Sequence, residues 1–551
     1  MDPFFQQPPE AGNRFHTDPT LRLALQWRLP DEVYRAAVPH LERLGELAAT
    51  VMPPLAERAE RNPPRHVTFE PWGRRVDRIE VDDGWLELMR LGQRQGLVAL
   101  PYEDPYDVHT RIVQAGLINL YDPVSAVADC PLVMTDGAAT LLNEHDPALA
   151  RRYVPRLTAR EDAWTSGQWM TERAGGSDVG RTDTRAVADS DGAWSLHGSK
   201  WFTSATTSDM ALALARPENA QAGSRGLSLF LLELRDQSGG WNGIQVRRLK
   251  DKFGTRALPT AELDLIGTRA VPVGGLGDGV RKLAGLLSVA RYWASIGGLA
   301  GVGHLLALAR DYAVKREAFG VRLMDHPIHR EWFARIAVVY DAMLVLNLEA
   351  AAQMGRVEHG GDGTLARLLV PLTKLACARQ GVWAGSELLE SFGGAGYVED
   401  TGIPRIFRNL HVNCIWEGTT SVLAHDVLRA LKKPEPGEAF IEEIVRRLTV
   451  LDDPAGAGVR ARIEESLESL VPMINTPRED QARRLAWGMA RTFQALLLAE
   501  FGQWKWQHYQ DSSGITAARL FVSQGLVDAA CEEAPEALRT VAFGPPRCDC
   551  R

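Results

Sequence analysis

One carboxylate in the chain, that of Glu417, has neighbours that could make it a base. Ile415 and Trp416 precede it, and a helix is predicted from about residue 419. Apolar neighbours raise the pKa of a carboxylate toward neutrality, which a useful general base requires. The alternative is structural: the helix dipole favours Glu417 in this place, and Thr419 or Thr420 caps the helix.

Two earlier segments could hold a flat heteroaromatic ring and a phosphate. In the first, Thr171 and Ser177 offer hydroxyls, and two glycines between them let backbone N–H groups approach an anion closely. In the second, Trp201 precedes the hydroxyl of Thr203 by two positions, so both lie on one face of a predicted strand and could contact a ring. A plain glycine-rich turn and a half-buried strand explain the two segments equally well in isolation.

Two later segments could also contact a nucleotide. Residues 316–320 contain an arginine and an aromatic residue, and residues 390–397 contain a glycine-rich turn. Arg316 ends a long predicted helix and Phe319 follows three residues later. The pair could clamp a phosphate, although helix C-termini favour arginine for dipole reasons. The sequence contains no Rossmann glycine motif, P-loop, nucleophile elbow or metal-ligand spacing. We therefore expect no metal site, and any nucleotide must be held by a less familiar structure.

These five segments, in this order and at these separations, resemble the acyl-CoA dehydrogenase family. Its members carry M-T-E-x-x-G-G-S-D, K-W-F-T, R-x-x-F-G, F-G-G-x-G-Y and I-[YW]-E-G-T along one polypeptide, and all five occur here. The resemblance covers about residues 50–432. Within the family, the chain is most similar to the AidB-type, alkylation-response branch. The basis is its N-terminal arm, the run from Arg248 to Arg256, Trp416 in place of the usual Tyr, and an extra C-terminal domain.

The resemblance implies that FAD is the cofactor and that the protein is a homotetramer. Positions that match the family's contacts to the flavin and its pyrophosphate are Met170, Thr171, Gly176, Ser177, Trp201 and Thr203. Thr419, close to the matched base, is also expected at the cofactor. Positions that match contacts to the adenosine diphosphate half of an FAD bound by a neighbouring subunit are Arg316, Phe319, Glu390, Gly393 and Gly394. Oligomerisation would then be part of cofactor binding.

The resemblance also implies a reaction. Glu417 matches the family's catalytic base, which would abstract the α-proton of an acyl thioester while a hydride leaves the β-carbon for N5 of the flavin. A sub-branch of the family carries its base on the first bundle helix, near Ala290 and Arg291 here, where no carboxylate occurs. Two other functions remain open: a duplex-DNA-binding protective flavoprotein with little acyl-CoA activity, and a flavin oxidase or monooxygenase on the same fold.

The elements that must position these residues fall into four regions. The chain has 551 residues, 45% of them hydrophobic and 24% charged, which is typical of soluble multidomain proteins. Helical spacing, alternating runs and long apolar helices predict an α+β multidomain protein, and the resemblance implies that its fold is that of the acyl-CoA dehydrogenases. The predicted regions are an N-terminal arm and helical domain (1–165), a central antiparallel β domain (166–275), a helical-bundle domain resembling a C-terminal four-helix bundle (276–433) and an extra helical C-terminal domain (434–551), with a linker at 432–437.

Charge gives little support to a nucleic-acid partner. The formal net charge is −8, and residues 434–551, where the resemblance places binding of double-stranded DNA, contain 13 basic and 18 acidic residues. Four arginines there could still form a basic stripe along one helix, or an ordinary solvated face: Arg478, Arg483, Arg484 and Arg491. Residues 504–509 mix aromatic and cationic side chains, which suits either nucleic acid or a core aromatic cluster.

Two further patterns concern location. The N-terminus has neither the basic nor the apolar region of a secretory signal. The longest apolar stretch, residues 283–309, is interrupted by Arg291 and His304, which favours a buried helix over a membrane span. We therefore expect a cytoplasmic protein with a small-molecule substrate, possible contact with DNA and no membrane partner.

Overall fold

The computed structural model describes residues 6–190, 192–451, 457–529, 538–539 and 541–542. The N-terminal region is mainly helical, as predicted. Its helices are α1 (Arg14–Thr17), α2 (Pro19–Arg28), α3 (Asp31–Thr50), α4 (Met52–Arg61), α5 (Asp83–Arg94), α6 (Leu100–Glu103), α7 (Thr110–Tyr121), α8 (Asp129–His145) and α9 (Pro147–Leu157). An antiparallel hairpin of β1 (Arg65–Phe69) and β2 (Arg75–Glu80) was not predicted, because its strands are mostly polar and lack apolar alternation.

The central region is a closed β structure. Its strands are β3 (Ser166–Trp169), β4 (Arg185–Ala188), β5 (Trp194–Ser204), β6 (Met210–Pro217), β7 (Ser228–Glu233), β8 (Ile244–Leu249) and β9 (Thr260–Pro272). They pair in the order β3-β6-β4-β5-β9-β7, β8 pairs with β9, and an additional pairing of β6 with β7 closes the ring. The pairings are antiparallel as predicted, except that β3 and β4 each run parallel to β6.

A bundle of long helices follows the β region. Its helices are α10 (Gly279–Lys282), α11 (Ala284–Lys315), α12 (Pro327–Glu358), α13 (Ala366–Ser391), α14 (Ile403–Val412) and α15 (Thr420–Ala430), with a hairpin of β10 (Glu317–Ala318) and β11 (Val321–Arg322) after α11. Helix α11 is the one described helix long and apolar enough to cross a membrane. Because 78% of its apolar window is buried by the rest of the protein, it is a core helix of the bundle.

The linker predicted at residues 432–437 does not exist as an extended segment. Helix α16 (Pro434–Val450) begins at its first proline, and it is followed by α17 (Ala457–Asn475), α18 (Ala482–Tyr509) and α19 (Ser513–Val522). Proline is compatible with the first turn of a helix because the N–H groups there have no intrahelical acceptor. Arg447 pairs with Glu349 at 2.8 Å across to α12, so these helices pack directly on the bundle and share its apolar core.

The basic stripe considered for α18 does not form. Arg491 is buried and its Nε donates to the Gly525 carbonyl at 2.8 Å. The Nε of Arg484 donates to the carbonyl of Asp528 at 2.6 Å, and Arg478 pairs with a neighbouring aspartate. Three of the four arginines are thus engaged within the C-terminal region.

The aromatic cluster of residues 504–509 serves packing. Trp504 stacks on Phe501 with ring centroids 6.0 Å apart, and Phe501 also contacts Trp27 of α2 at 5.3 Å. The Tyr509 hydroxyl donates to Gln26 at 2.8 Å. The cluster therefore joins α18 to the N-terminal helices.

Candidate active site

The structure brings together the segment that contains Thr171 and Ser177 and the segment that contains Trp201 and Thr203. The backbone N–H of Trp201 donates to the carbonyl of Thr171 at 2.9 Å. A Cβ at Gly176 would lie 2.9 Å from a methyl carbon of Thr171, so the turn closes tightly on that side chain. Gly176 and Ser177 are exposed, whereas Met170 is buried.

Trp201 and Thr203 do not share one accessible face as simple alternation predicts. The β5–β9 register shifts between residues 200 and 203, and Thr203 is fully buried with its hydroxyl donating to Ala261 at 2.8 Å. A bulge of this kind re-aims side chains along a strand. Lys250 lies over the partly buried indole of Trp201, with Nζ 3.8 Å from the ring centroid, a cation–π contact that sequence reasoning missed.

A buried ion pair between Lys200 and Glu172 connects the segment around Thr171 to the segment around Trp201. Lys200 has no exposed surface, and its Nζ donates to Glu172 at 2.6 Å and to the carbonyl of Leu214 at 2.7 Å. The Glu172 carboxylate also accepts from the N–H of Asp183 at 2.7 Å and the hydroxyl of Thr184 at 2.5 Å. Burial opposes ionisation of Glu172, but Lys200 and these donors keep its pKa below the usual value. The pair ties the glycine-rich turn to β5 and β6.

Removing the cation of this pair should destabilise the protein strongly. We expect Lys200→Met to cost about 3–5 kcal/mol, because Glu172 would remain as a buried charge without its partner. Chemical unfolding followed by circular dichroism measures the loss. The double variant Glu172→Gln/Lys200→Met should recover most of the stability, and equal losses in the single and double variants would contradict the assignment.

The backbone at Glu417 is held in an unusual conformation by two cations. Glu417 has φ +56° and Gly418 has φ +106°, and a left-handed conformation is costly for a residue with a side chain. The Nε of Arg291 donates to the Glu417 carbonyl at 3.3 Å, and Nζ of Lys374, which is buried, donates to the Gly418 carbonyl at 2.5 Å. Arg291 is itself fixed by Asp426 at 2.6 Å. The turn that carries the carboxylate is therefore rigidly supported.

The surroundings of Glu417 are less apolar than its sequence neighbours, Ile415 and Trp416, predicted. Ile415 is 64% exposed and does not cover it within the chain. Burial nevertheless raises the pKa of Glu417, and Lys374 and Arg291 partly offset that rise. Burial lowers the pKa of Lys374 to about 8, with Glu417 acting in the opposite direction. A lone lysine in the apolar run of α13 was the available signal for this contact.

Gln168 connects the base to the β region. Its side chain hydrogen-bonds to Glu417, and it lies on β3 two residues before Met170. The other side-chain atom of this amide, Oε1, is buried and has no hydrogen-bond partner among the described residues. The segment around Thr171 and the carboxylate of Glu417 thus meet at one place, with an unused acceptor between them.

Thr419 takes the structural role that the sequence allowed. It is the N-cap of α15, and its hydroxyl accepts a hydrogen bond from the N–H of Val422 at 3.4 Å. An N-cap of this type satisfies one of the donors at the start of a helix. The exposed side chain leaves its assignment to cofactor binding a prediction.

The remaining predicted cofactor residues gather at the opposite end of the bundle. Tyr312 and Phe392 contact each other with ring centroids 5.3 Å apart, which joins the end of α11 to the glycine-rich turn. Arg316, which donates to Gln6 at 3.3 Å, follows at the C-cap of α11. The side chains exposed there include Phe319 (99%) and Tyr397 (88%), with Glu390 beside them.

The two groups of residues cannot contact one dinucleotide within a single chain. Arg291 bonds to Glu417 near the start of α11, and Arg316 follows 25 residues later, roughly 37 Å along the helix at 1.5 Å per residue. That distance exceeds the length of one extended FAD. The structure therefore separates the site of the base from the group that contains Arg316.

Both groups fit parts of a flavin dinucleotide. The buried, unpaired Oε1 of Gln168 can accept from a ring N–H beside Glu417. At the other end, a Cβ added to Gly393 or Gly394 would meet no atom within 4 Å, so the space around this glycine turn, here called the open cradle, is free. Guanidinium and backbone N–H groups suit a pyrophosphate.

Comparison with known proteins agrees with this geometry. The chain matches "Adaptive response protein AidB N-terminal domain" over residues 6–162, "Acyl-CoA dehydrogenase, middle domain" over 167–267 and "Acyl-CoA dehydrogenase, C-terminal domain" over 277–432. It is 38% identical to "Acyl-CoA dehydrogenase family member 11" of Caenorhabditis elegans over 93% of this chain and 86% of that protein. It is 31% identical to "Putative acyl-CoA dehydrogenase AidB" of Escherichia coli over 70% of this chain and 74% of that protein.

A solved structure is similar over nearly the whole chain. The crystal structure of Caenorhabditis elegans ACDH-11 in complex with C11-CoA superposes with a TM-score of 0.94 at 36% identity, covering 98% of this chain and 97% of that one. The resemblance carried by the five segments is thereby confirmed, as are the fold class and the cofactor that it implied. The chain belongs to the acyl-CoA dehydrogenase family, in its AidB branch, and is an FAD-dependent oxidoreductase acting on CH–CH bonds.

Proposed function

We propose that the protein dehydrogenates an acyl-CoA thioester, with Glu417 as the base that removes the α-proton. The observation that carries the proposal is the placement of the Glu417 carboxylate. It lies on a turn fixed by Arg291 and Lys374 and contacts Gln168, which is on β3 just before Met170. Similarity to a structure that holds C11-CoA supports a thioester substrate.

The residues of the chain perform the proton half of this reaction. Ionised Glu417 accepts the α-proton, and its raised pKa makes it a stronger base than an exposed carboxylate. Arg291 and Lys374 hold the turn so that the carboxylate keeps its direction during proton transfer. Bound FAD would supply the acceptor for the hydride that leaves the β-carbon, which would give the enoyl thioester as product.

Anaerobic titration of the bound flavin with acyl-CoAs of different chain lengths tests the proposal. We expect loss of the flavin absorbance near stoichiometric acyl-CoA for at least one chain length. Oxygen consumption by the reduced protein without any acyl-CoA response would instead favour an oxidase or monooxygenase. Binding of duplex DNA is not part of the proposal, because three of the four arginines expected to form a basic face are already bonded to groups of the C-terminal region.

Lys374 should act as a positioning residue that sets the pH dependence of the base. Its cation lowers the pKa of Glu417, so Lys374→Met should raise that pKa and move the acidic limb of the kcat/KM profile to higher pH. The sign is fixed because only ionised Glu417 can accept a proton. We expect several-fold lower kcat/KM at pH 6 and partial recovery at pH 9. Lys374→Arg, which keeps the charge, should restore the profile, whereas a uniform loss at every pH would contradict this role.

We also propose a homotetramer in which each FAD is shared by two subunits. The support is the roughly 37 Å of α11 between Arg291 and Arg316, together with the exposed Phe319 and the open cradle at Gly393 and Gly394. The open cradle of one chain is too far from that chain's own Glu417 to contact the same FAD. It can instead contact an FAD that lies beside Glu417 of a neighbouring chain.

A further inference from the structure

A cavity lies where the C-terminal helices meet the bundle, and its volume is about 370 Å³. Helices α2, α11, α12, α18 and α19 contribute its walls. The walls are largely apolar and include Leu23, Ala337, Val338, Leu498, Phe501 and Leu520. Volume and lining are those of a pocket for a small ligand.

This cavity is separate from the site of Glu417. Arg310, which lines it, follows Arg291 by 19 residues on α11, roughly 28 Å along the helix. Phe501 and Leu520 belong to the helices that follow residue 433, outside the part of the chain that matches the dehydrogenase domains. The cavity therefore depends on the C-terminal helices and not on the segments around Thr171 and Trp201.

One acceptor in the cavity has no partner. The Oδ1 atom of Asp341 is buried and makes no hydrogen bond to any described residue, although Thr20 interacts with the same carboxyl group. Buried polar atoms are almost always paired in native proteins, so an unpaired carboxylate oxygen in a cavity wall indicates a missing donor. A molecule inside the cavity can supply that donor.

The other charges define the kind of molecule. Lys505 is already paired with Asp511 at 2.8 Å. Arg310 acts on Asp341 electrostatically but forms no ion pair within 4 Å with the described acidic groups. The four charged residues that line the cavity balance, two cations against two anions, so a charged ligand would lie there without compensation.

We propose that this cavity binds a small neutral amphiphile whose head group donates a hydrogen bond to Asp341 and accepts one from Arg310, as a primary carboxamide does. The apolar chain of the ligand then contacts the side chains of α12, α18 and α19. Neither the head group nor the chain requires the flavin site, so the proposal stands apart from the proposed dehydrogenase activity.

Isothermal titration calorimetry with octanamide, octanoate and octylamine tests the proposal on the full-length holoprotein. We expect saturable binding of octanamide and weaker binding of both charged analogues. Asp341→Val should weaken octanamide binding by about tenfold or more, since it removes a hydrogen bond to a charged acceptor. The matched control, Glu468→Val on the exposed face of α17, should leave the affinity unchanged.

Two further variants locate the binding. Ala517→Phe, which fills the cavity from α19, should abolish octanamide binding while thermal unfolding reports an intact fold. Glu417→Gln should not alter it, which separates this cavity from the acyl-CoA site. Absence of octanamide binding, equal affinity for octanoate or octylamine, or full affinity in Asp341→Val and Ala517→Phe would each overturn the proposal.

Discussion

Glu417→Gln should abolish reduction of the flavin by acyl-CoA while FAD remains bound. Glutamine is nearly the same size and can keep the hydrogen bond to Gln168, but it cannot accept the α-proton. Loss of a general base slows the affected step by about 10²–10⁴-fold. Stopped-flow absorbance of the flavin after anaerobic mixing with the best acyl-CoA measures the rate directly.

The controls for this variant separate catalysis from folding. Glu468→Gln, on the exposed face of α17, should reduce the flavin at the wild-type rate. The flavin spectrum and unfolding curve of Glu417→Gln should match those of the wild type, because the Arg291 and Lys374 contacts are made to backbone carbonyls. Unchanged bleaching in Glu417→Gln would exclude this residue as the base, whatever the substrate.

The order of the regions could be predicted because each has a local signature. Alternation predicted the strands that begin near Arg185, Trp194 and Thr260, and helical periodicity predicted α11 to α13, since these elements bury one or both faces. The β1–β2 hairpin is polar, so it lacks that signature. The start of α16 at Pro434 was missed because proline ends one helix and begins another with equal ease.

The candidate site was predicted in part for a similar reason. Glu417 and Thr171 lie in recognisable segments, whereas Lys374 and Gln168 act on the base through contacts between residues distant in sequence. The buried pair of Glu172 and Lys200 joins two of the segments, yet each residue alone reads as an ordinary surface charge. Such tertiary contacts leave no local periodic signal.

Co-expression of two inactive variants should restore activity if the FAD site is shared between subunits. Gly394→Trp fills the open cradle without meeting other atoms of its own chain at the Cβ, so it should fold but lose most of its flavin. Glu417→Gln should keep its flavin and lack the base. Each homo-oligomer is then expected to be inactive, for different reasons.

In mixed oligomers, some shared FAD sites receive neither the substituted base nor the filled cradle. A site that takes Glu417 from the Gly394→Trp chain and its cradle from the Glu417→Gln chain has every functional part, so random assembly should give about one quarter of wild-type sites. Size-exclusion chromatography, flavin content and acyl-CoA reduction of the doubly tagged mixture measure this. If base and cradle came from one chain, each site would carry a defect and activity would stay at background. The roughly 37 Å between Arg291 and Arg316 along α11 favours restoration, since a helix of that length cannot bend the two ends onto one cofactor.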